Sequence, residues 1–126
     1  DPARERDLGL AVGLSEADLE RTPAELSMGD LRKLEMARTM ATNPKVMLLD
    51  EVFAGLTLGE IAQISDVIQQ MRRDGMTFLI VSHDLPALEP LVDRCIAIER
   101  GSLIAEGSFE QVVASDAVRA SYLGVA

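Results

Sequence analysis

The chain has 126 residues, of which 48% are hydrophobic, and this length predicts a single domain or part of one. The 12 Lys and Arg residues against 21 Asp and Glu residues give a net charge of -9, which opposes attraction to phosphate backbones and anionic lipid surfaces. We therefore expect no nucleic-acid partner.

The cysteine count and the apolar runs exclude further classes of protein. Cys95 is the only cysteine, so an internal disulfide and a cysteine zinc cage are both excluded, which fits a reducing cytoplasm. No apolar run approaches the roughly 20 residues of a membrane span, so a membrane role must come through a partner. The chain starts at Asp1 rather than Met, and we expect upstream residues in the gene product.

Capping patterns predict the first helices in chain order. Ser15-Glu16-Ala17-Asp18 starts a short helix through Arg21, which Pro23 ends. Ser27-Met28-Gly29-Asp30 opens a longer stretch with apolar residues at helical spacing, and Asn43-Pro44 closes it. This second stretch predicts a helix in front of the first strand.

Two apolar runs predict a parallel pair of strands. Residues 46–49 have the pattern of a parallel strand covered on both faces, and residues 77–81 form the next strand. Between them a third capping box, Thr57-Leu58-Gly59-Glu60, starts a helix to about Arg73. The resulting βαβ crossover brings the residues after both strands to one carboxyl edge, where α/β sheets bind ligands.

The last third of the chain predicts a β-hairpin and short helices. After a short helix over residues 86–92, residues 95–99 and 103–106 flank a turn, and helices start at Ser108 and Asp116. The order of elements describes half of an α/β domain with a helical piece in front.

Four segments carry candidate chemistry, each with a plainer interpretation beside it. The start of the helix at Ser27 to Asp30 offers a hydroxyl, a glycine amide and the positive end of the helix dipole to a phosphate, although a plain capping box would look the same. Asp50 can hold Mg²⁺ through water while Glu51 activates an attacking water, although acidic residues often simply follow strands. His83 lies at the same predicted edge, although a lone loop histidine is usually only a surface residue. Residues 54–57 form a turn and cap.

The succession of these segments resembles the ABC ATPase family from about Leu26 to the end of the chain. Leu26-Ser27-Met28-Gly29-Asp30 resembles the signature motif, usually LSGGQ, and residues 46–50 resemble Walker B, with Glu51 at the catalytic glutamate. Residues 54–57 resemble the D-loop, and His83 resembles the switch histidine. The resemblance implies a partial P-loop NTPase-like domain, α/β in class, with a mostly parallel sheet, flanking helices and a C-terminal hairpin.

Within the family, the sequence is most similar to importers of branched-chain amino acids. The similar segments are residues 32–38, Ala105-Glu106-Gly107 and Tyr122-Leu123-Gly124. Relatives of that group serve urea, amides and lipopolysaccharide export. Met28 and Asp30 depart from the usual signature but resemble the branched-chain group.

Other departures bear on activity. Val52 replaces the usual proline, and Thr57 replaces the usual D-loop aspartate or asparagine, a substitution that the capping box explains. No G-x-x-x-x-G-K-[ST] phosphate loop is present in the 126 residues, and neither is the loop glutamine that follows it in the family. We therefore expect the chain alone to bind ATP weakly and to be inactive.

The resemblance implies a mechanism shared between two subunits. Ser27, Met28, Gly29 and Asp30 would contact the γ-phosphate of an ATP held by the partner subunit. Asp50 would position Mg²⁺ through water, and Glu51 and His83 would be catalytic.

The resemblance also implies an assembly at the cytoplasmic face of the cell membrane. Its partners would be a second ATPase subunit, identical or not, transmembrane permease subunits and, in an importer, a solute-binding protein. Residues 1–45 would belong to the helical subdomain with the signature motif, and residues 46–126 to the C-terminal part of the ATPase core.

Two other functions remain open at this point. The chain can be a degenerate or truncated interaction module without catalysis, which Val52, Thr57 and the missing phosphate loop favour. It can also belong to a soluble ABC ATPase of translation or DNA repair, which the closing Tyr122-Leu123-Gly124 and the acidic balance oppose. In either case the open edges of a partial sheet predict self-association.

Overall fold

The computed structural model describes residues 1–122 and Gly124. They divide into two compact units, residues 1–87 and residues 88–126. All predicted site residues belong to the first unit. Leu123, in the segment that resembled branched-chain importers, lies outside the described residues. The division of the ATPase domain at residue 45 stays a prediction, because it concerns the subdomains of the family.

The first unit consists of helices around one pair of strands. In chain order its elements are α1 (Pro2–Ala11), α2 (Glu16–Leu19), a 3-10 turn (Pro23–Glu25), α3 (Met28–Met40), β1 (Val46–Asp50), α4 (Leu58–Arg73) and β2 (Thr77–Val81). A short helix, α5 (Leu85–Leu88), reaches the boundary between the units and is shorter than the predicted one.

The predicted helix starts are confirmed by side-chain caps. Ser15 accepts a hydrogen bond from the Asp18 amide at 3.2 Å, and Ser27 accepts one from the Asp30 amide at 3.1 Å. Thr57 caps α4 by accepting from the Glu60 amide at 3.2 Å. Each bond satisfies one of the amides that a helix start leaves without an internal partner.

The strands β1 and β2 pair in parallel, as predicted, with Val46 opposite Thr77 and Asp50 opposite Val81. The prediction that β1 is covered on both faces is wrong. Met47 is 1% exposed, whereas Leu48 is 71% exposed. Side chains alternate between the two faces of a strand, and within the described residues only the face of Met47 is covered.

The core of the first unit lies on that covered face and between the helices. Helix α3 packs against both α1 and α4. The buried apolar residues are Val12, Leu14, Met36, Ala37, Met47, Leu49, Val52, Phe53, Ile64, Ile68, Met71 and Ala87. The buried residues of α4 lie at the spacing of one helical face, which is why the periodic pattern of this helix was visible in the sequence.

The second unit contains the predicted hairpin and two helices. Strands β3 (Cys95–Glu99) and β4 (Ser102–Gly107) pair antiparallel, followed by α6 (Phe109–Val113) and α7 (Asp116–Tyr122). The Tyr122 hydroxyl donates to the Ile98 carbonyl oxygen and so ties α7 to β3. The α/β class is confirmed, with the strands in two separate two-stranded sheets, one parallel and one antiparallel. None of the described helices has the length and apolarity to cross a bilayer.

Candidate active site at the carboxyl edge of β1 and β2

A left-handed backbone turn directly after β1 sets the position of Glu51. Its φ is 52°, a conformation that residues other than glycine rarely adopt. The Glu51 amide donates to the Val81 carbonyl oxygen at 2.7 Å, so the pairing of the two strands continues past Asp50. The backbone of Glu51 is therefore fixed to the end of β2.

The structure brings Glu51 and His83 together. His83 Nδ1 lies 3.2 Å from Glu51 Oε1, and the two side chains are 81% and 40% exposed. This contact confirms that the residues after both strands share one edge. Because it uses only Nδ1, the imidazole keeps Nε2 for a second partner. A carboxylate beside an imidazole can take up a proton from a bound water and hold it.

Asp50 is exposed at the end of β1 and lines a small cleft beside α3. The cleft has a volume of about 80 Å³ and is lined by Arg32, Glu35, Met36, Thr39, Leu49, Asp50 and Val52. No cluster of three or more metal-ligating side chains occurs in residues 1–122 or at Gly124. A single carboxylate fits Mg²⁺ that takes its other ligands from water and phosphate oxygens, and does not fit a cation held by protein alone.

The predicted phosphate-contact segment begins α3, and its polar groups are occupied by the chain itself. The Ser27 hydroxyl donates to Asp30 Oδ2 at 2.7 Å. The amide of Gly29, a buried residue, donates to Glu60 Oε2 at 2.6 Å. Met28 is 48% exposed. Among the described hydrogen bonds of this segment, that of Gly29 reaches α4, the others stay within α3 and its cap, and none leads to Glu51 or His83.

Sequence reasoning missed the role of Glu60 beyond its own helix. The capping box identified it as the third residue of α4, and Glu60 Oε1 indeed accepts from the Thr57 amide at 3.2 Å. The hydrogen bonds from the Thr57 and Gly29 amides lower the pKa of the Glu60 carboxyl below its ordinary value, against burial and the Asp30 carboxylate, which raise it. Glu60 is therefore an anion that bridges the starts of two helices.

Sequence reasoning also missed Lys33, a residue of α3 that anchors this helix to its neighbours. The residue is 5% exposed. Its Nζ lies 2.8 Å from Gln63 Oε1, 3.0 Å from Asp30 Oδ1 and 3.4 Å from the Gly13 carbonyl oxygen. A buried ammonium needs such acceptors because its desolvation is otherwise unfavourable. These contacts fix α3 against α4 and against the turn after α1.

The fold is that of an α/β ATP-binding cassette. The solved ADP conformation of MJ1267, an ATP-binding cassette of an ABC transporter, matches 97% of this chain and 49% of its own chain with a TM-score of 0.88 and 28% identity. The family model described as ABC transporter matches residues 6–54, and so extends the predicted resemblance toward the first helix. The chain belongs to the ABC transporter ATP-binding domain family.

Curated relatives agree on the family and differ in the transported solute. The methionine import ATP-binding protein MetN of Caulobacter vibrioides is 36% identical over 93% of this chain and 36% of its own length. The branched-chain amino acid transport ATP-binding protein LivG of Escherichia coli K12 is 34% identical over 91% of this chain and 45% of its own length. The lipopolysaccharide export ATP-binding protein LptB of Haemophilus influenzae is 37% identical over 79% and 41%. The chain thus spans less than half of each of these relatives.

Proposed function

We propose that the protein is the ATP-hydrolysing subunit of an ABC transporter and that the carboxyl edge of β1 and β2 carries its chemistry. The contact between Glu51 and His83, directly after Asp50, is the observation that supports this most. In phosphoryl transfer the protein mainly positions the reactants and neutralises charge. Two carboxylates and one imidazole at one strand edge are suited to that task.

Each of the three residues has a separate role in the proposed reaction. Glu51 accepts a proton from the attacking water, and its fixed backbone holds the carboxylate in place for in-line attack. His83 contacts Glu51 through Nδ1 and, with a proton on each ring nitrogen, donates from Nε2 to the γ-phosphate. Asp50 holds Mg²⁺ through water, and the bound ion would supply neutralisation of phosphate charge.

The signature segment completes the site of a partner subunit. Ser27, Met28, Gly29 and Asp30 would contact the γ-phosphate of ATP held by a second ATPase subunit, identical or not. The positive end of the α3 dipole and the Gly29 amide support an anion at this point. The 126 residues contain no phosphate loop, so the chain alone is expected to be inactive.

The transported solute is proposed from similarity alone. Residues 32–38 and the similarity to LivG favour uptake of branched-chain amino acids, while urea, amide and lipopolysaccharide transport are alternatives. The proposed partners are transmembrane permease subunits and, for uptake, a solute-binding protein. The subunit would act at the cytoplasmic face of the cell membrane.

Hydrolysis of Mg-ATP by the complete product of the gene tests the proposal. Glu51→Gln keeps the shape of the side chain but removes the base, so kcat should fall by about 100-fold or more while ATP binding persists. Glu89→Gln is the matched control, because Glu89 is exposed and lies in the other unit. Normal turnover in Glu51→Gln would contradict the assigned role of Glu51.

A non-catalytic interaction module is the second candidate. Val52 in place of proline, Thr57 in place of the D-loop aspartate or asparagine, and the lack of a phosphate loop in the 126 residues support it. Under this alternative the complete gene product binds no ATP, with or without the Glu51 substitution. Binding measured by equilibrium dialysis with radiolabelled ATP therefore separates the two candidates before any turnover is assayed.

A further inference from the structure

The start of α3 already holds an anion, which is the carboxylate of Glu60. Its two oxygens divide between two helix starts: Oε2 accepts from the Gly29 amide at 2.6 Å, and Oε1 accepts from the Thr57 amide at 3.2 Å. The next amide of α3, that of Asp30, is taken by the Ser27 hydroxyl. The donors that the proposed function assigns to a γ-phosphate are therefore in use within the chain.

Glu60 also fills the space in front of Gly29. A Cβ atom built on Gly29 would lie 2.9 Å from Glu60 Cδ and 3.0 Å from Glu60 Cγ, inside the distance that real Cβ contacts show. A phosphate oxygen that bonds to the Gly29 amide needs the same volume. Phosphate and the Glu60 carboxylate consequently cannot occupy this position together.

The charges at the same point act against a second anion. Asp30 and Glu60 are two carboxylates next to one another, and Lys33 is the cation that contacts this group of residues. Its ammonium is bound to Asp30, Gln63 and the Gly13 carbonyl, and so does not compensate Glu60 directly. An arriving phosphate meets the negative charge of Glu60, which no cation contacts directly among the described ion pairs, as long as that side chain stays in place.

We propose that Glu60 is an internal competitor for phosphate at Gly29, an autoinhibitory contact that must open before the signature segment can engage ATP of a partner subunit. The inference rests on the proposed function for the identity of the phosphate. Opening requires only that the Glu60 side chain rotates and breaks its bond to the Gly29 amide. The bond from the Thr57 amide to Oε1 can then keep the carboxylate at the start of α4. The contact thus raises the phosphate concentration that is needed to occupy the Gly29 amide, and it does not block this position permanently.

Amide spectra of this 126-residue chain test the competition without ATP. Inorganic phosphate is titrated into ¹⁵N-labelled wild type, Glu60→Ala and Glu60→Gln at constant ionic strength, and the Gly29 amide signal is followed. Removal of a charge a few Å away should lower the apparent phosphate Kd at Gly29 by about fivefold in Glu60→Ala. Glu60→Gln, which loses the charge but keeps the bulk, should give a smaller decrease.

Glu25→Gln is the matched control. Glu25 also caps a helix start, by accepting from the Thr22 amide at 2.7 Å, and all of its described hydrogen bonds remain within that capping box. Its substitution removes the same charge from a capping box and should leave phosphate binding at Gly29 unchanged. A general effect of net charge would instead move all three variants equally, and that result would overturn the proposal.

Two further outcomes would overturn it. One is equal phosphate affinity at Gly29 in wild type and in both Glu60 variants, and the other is no phosphate response at Gly29 even in Glu60→Ala. If Glu60→Ala does not fold, Glu60→Gln alone still decides between a lowered and an unchanged Kd. The ATPase assay of Glu51→Gln is independent of this test, so failure of the proposed function and failure of the competition are read from different experiments.

Discussion

Lys33 is the one charged residue that is buried in the described part of the chain. Replacement by methionine keeps the length of the side chain but leaves the Gln63 and Gly13 oxygens and Asp30 without their donor. Hydrogen bonds that involve a charged group contribute about 1.5–3 kcal/mol, so loss of those of the Lys33 ammonium should lower the free energy of unfolding by about 2 kcal/mol. Urea unfolding followed by circular dichroism measures this change.

The matched control is Lys45→Met, because Lys45 is exposed just before β1. Exposed substitutions of this kind usually change stability by less than about 0.5 kcal/mol. Equal urea midpoints for the two variants would show that the contacts of Lys33 add nothing to stability.

The residues of the site could be predicted only where topology forces them together. Parallel strands end at one edge, so the proximity of Glu51 and His83 followed from two strand patterns in the sequence. The contact between Gly29 and Glu60 joins residues 31 positions apart through the packing of α3 on α4. No periodicity or motif encodes that crossing of helices, and for the same reason Lys33 looked like an ordinary helical residue.

At the scale of elements, Thr57 is explained by the helix it begins. Its hydroxyl accepts from the Glu60 amide at 3.2 Å. Thr57→Ala should lower the free energy of unfolding by about 1 kcal/mol, the usual cost of losing an N-cap. Thr57→Asn restores an acceptor at this position and should leave stability near that of wild type.

The urea midpoints of the three proteins measure the effect of the cap. Because Thr57→Asn also restores a residue usual for the D-loop, its ATPase rate in the complete gene product adds a separate test. An unchanged urea midpoint in Thr57→Ala would show that the hydroxyl does not stabilise the protein as the cap of α4.

Helices with capping boxes could be predicted from the sequence, and α1 could not. Asp1 caps α1 by accepting from the Ala3 amide at 3.1 Å, and Pro2 stands at its first position. Its only buried residue is Gly9, so it carries no apolar stripe to mark it as a helix. The pattern of β1 failed differently: four consecutive apolar residues predict two covered faces, but the alternation along the strand leaves Val46 and Leu48 exposed.

At the scale of the whole molecule, the exposed apolar face of the β1–β2 sheet is a surface through which we expect the chain to self-associate. Val46, Leu48, Leu79 and Val81 lie on this face and are 53%, 71%, 56% and 54% exposed. Burial of one such side chain contributes about 2 kcal/mol, which favours association. The net charge of -9 is spread over the surface and opposes it weakly at physiological ionic strength.

We therefore expect concentration-dependent dimers of the 126-residue chain in sedimentation velocity. Replacement of both Leu48 and Leu79 by glutamine keeps the net charge and should shift the chain toward monomer, because these two side chains pair directly across the strands. Leu58→Gln is the matched control: Leu58 is 87% exposed but stands at the start of α4, away from the sheet. Dimers that survive the double substitution would place the interface elsewhere, for example at the open strand edges. A wild-type chain that stays monomeric at every concentration would contradict the prediction. It would show that four exposed apolar side chains are too few to overcome the charge and the entropy of association.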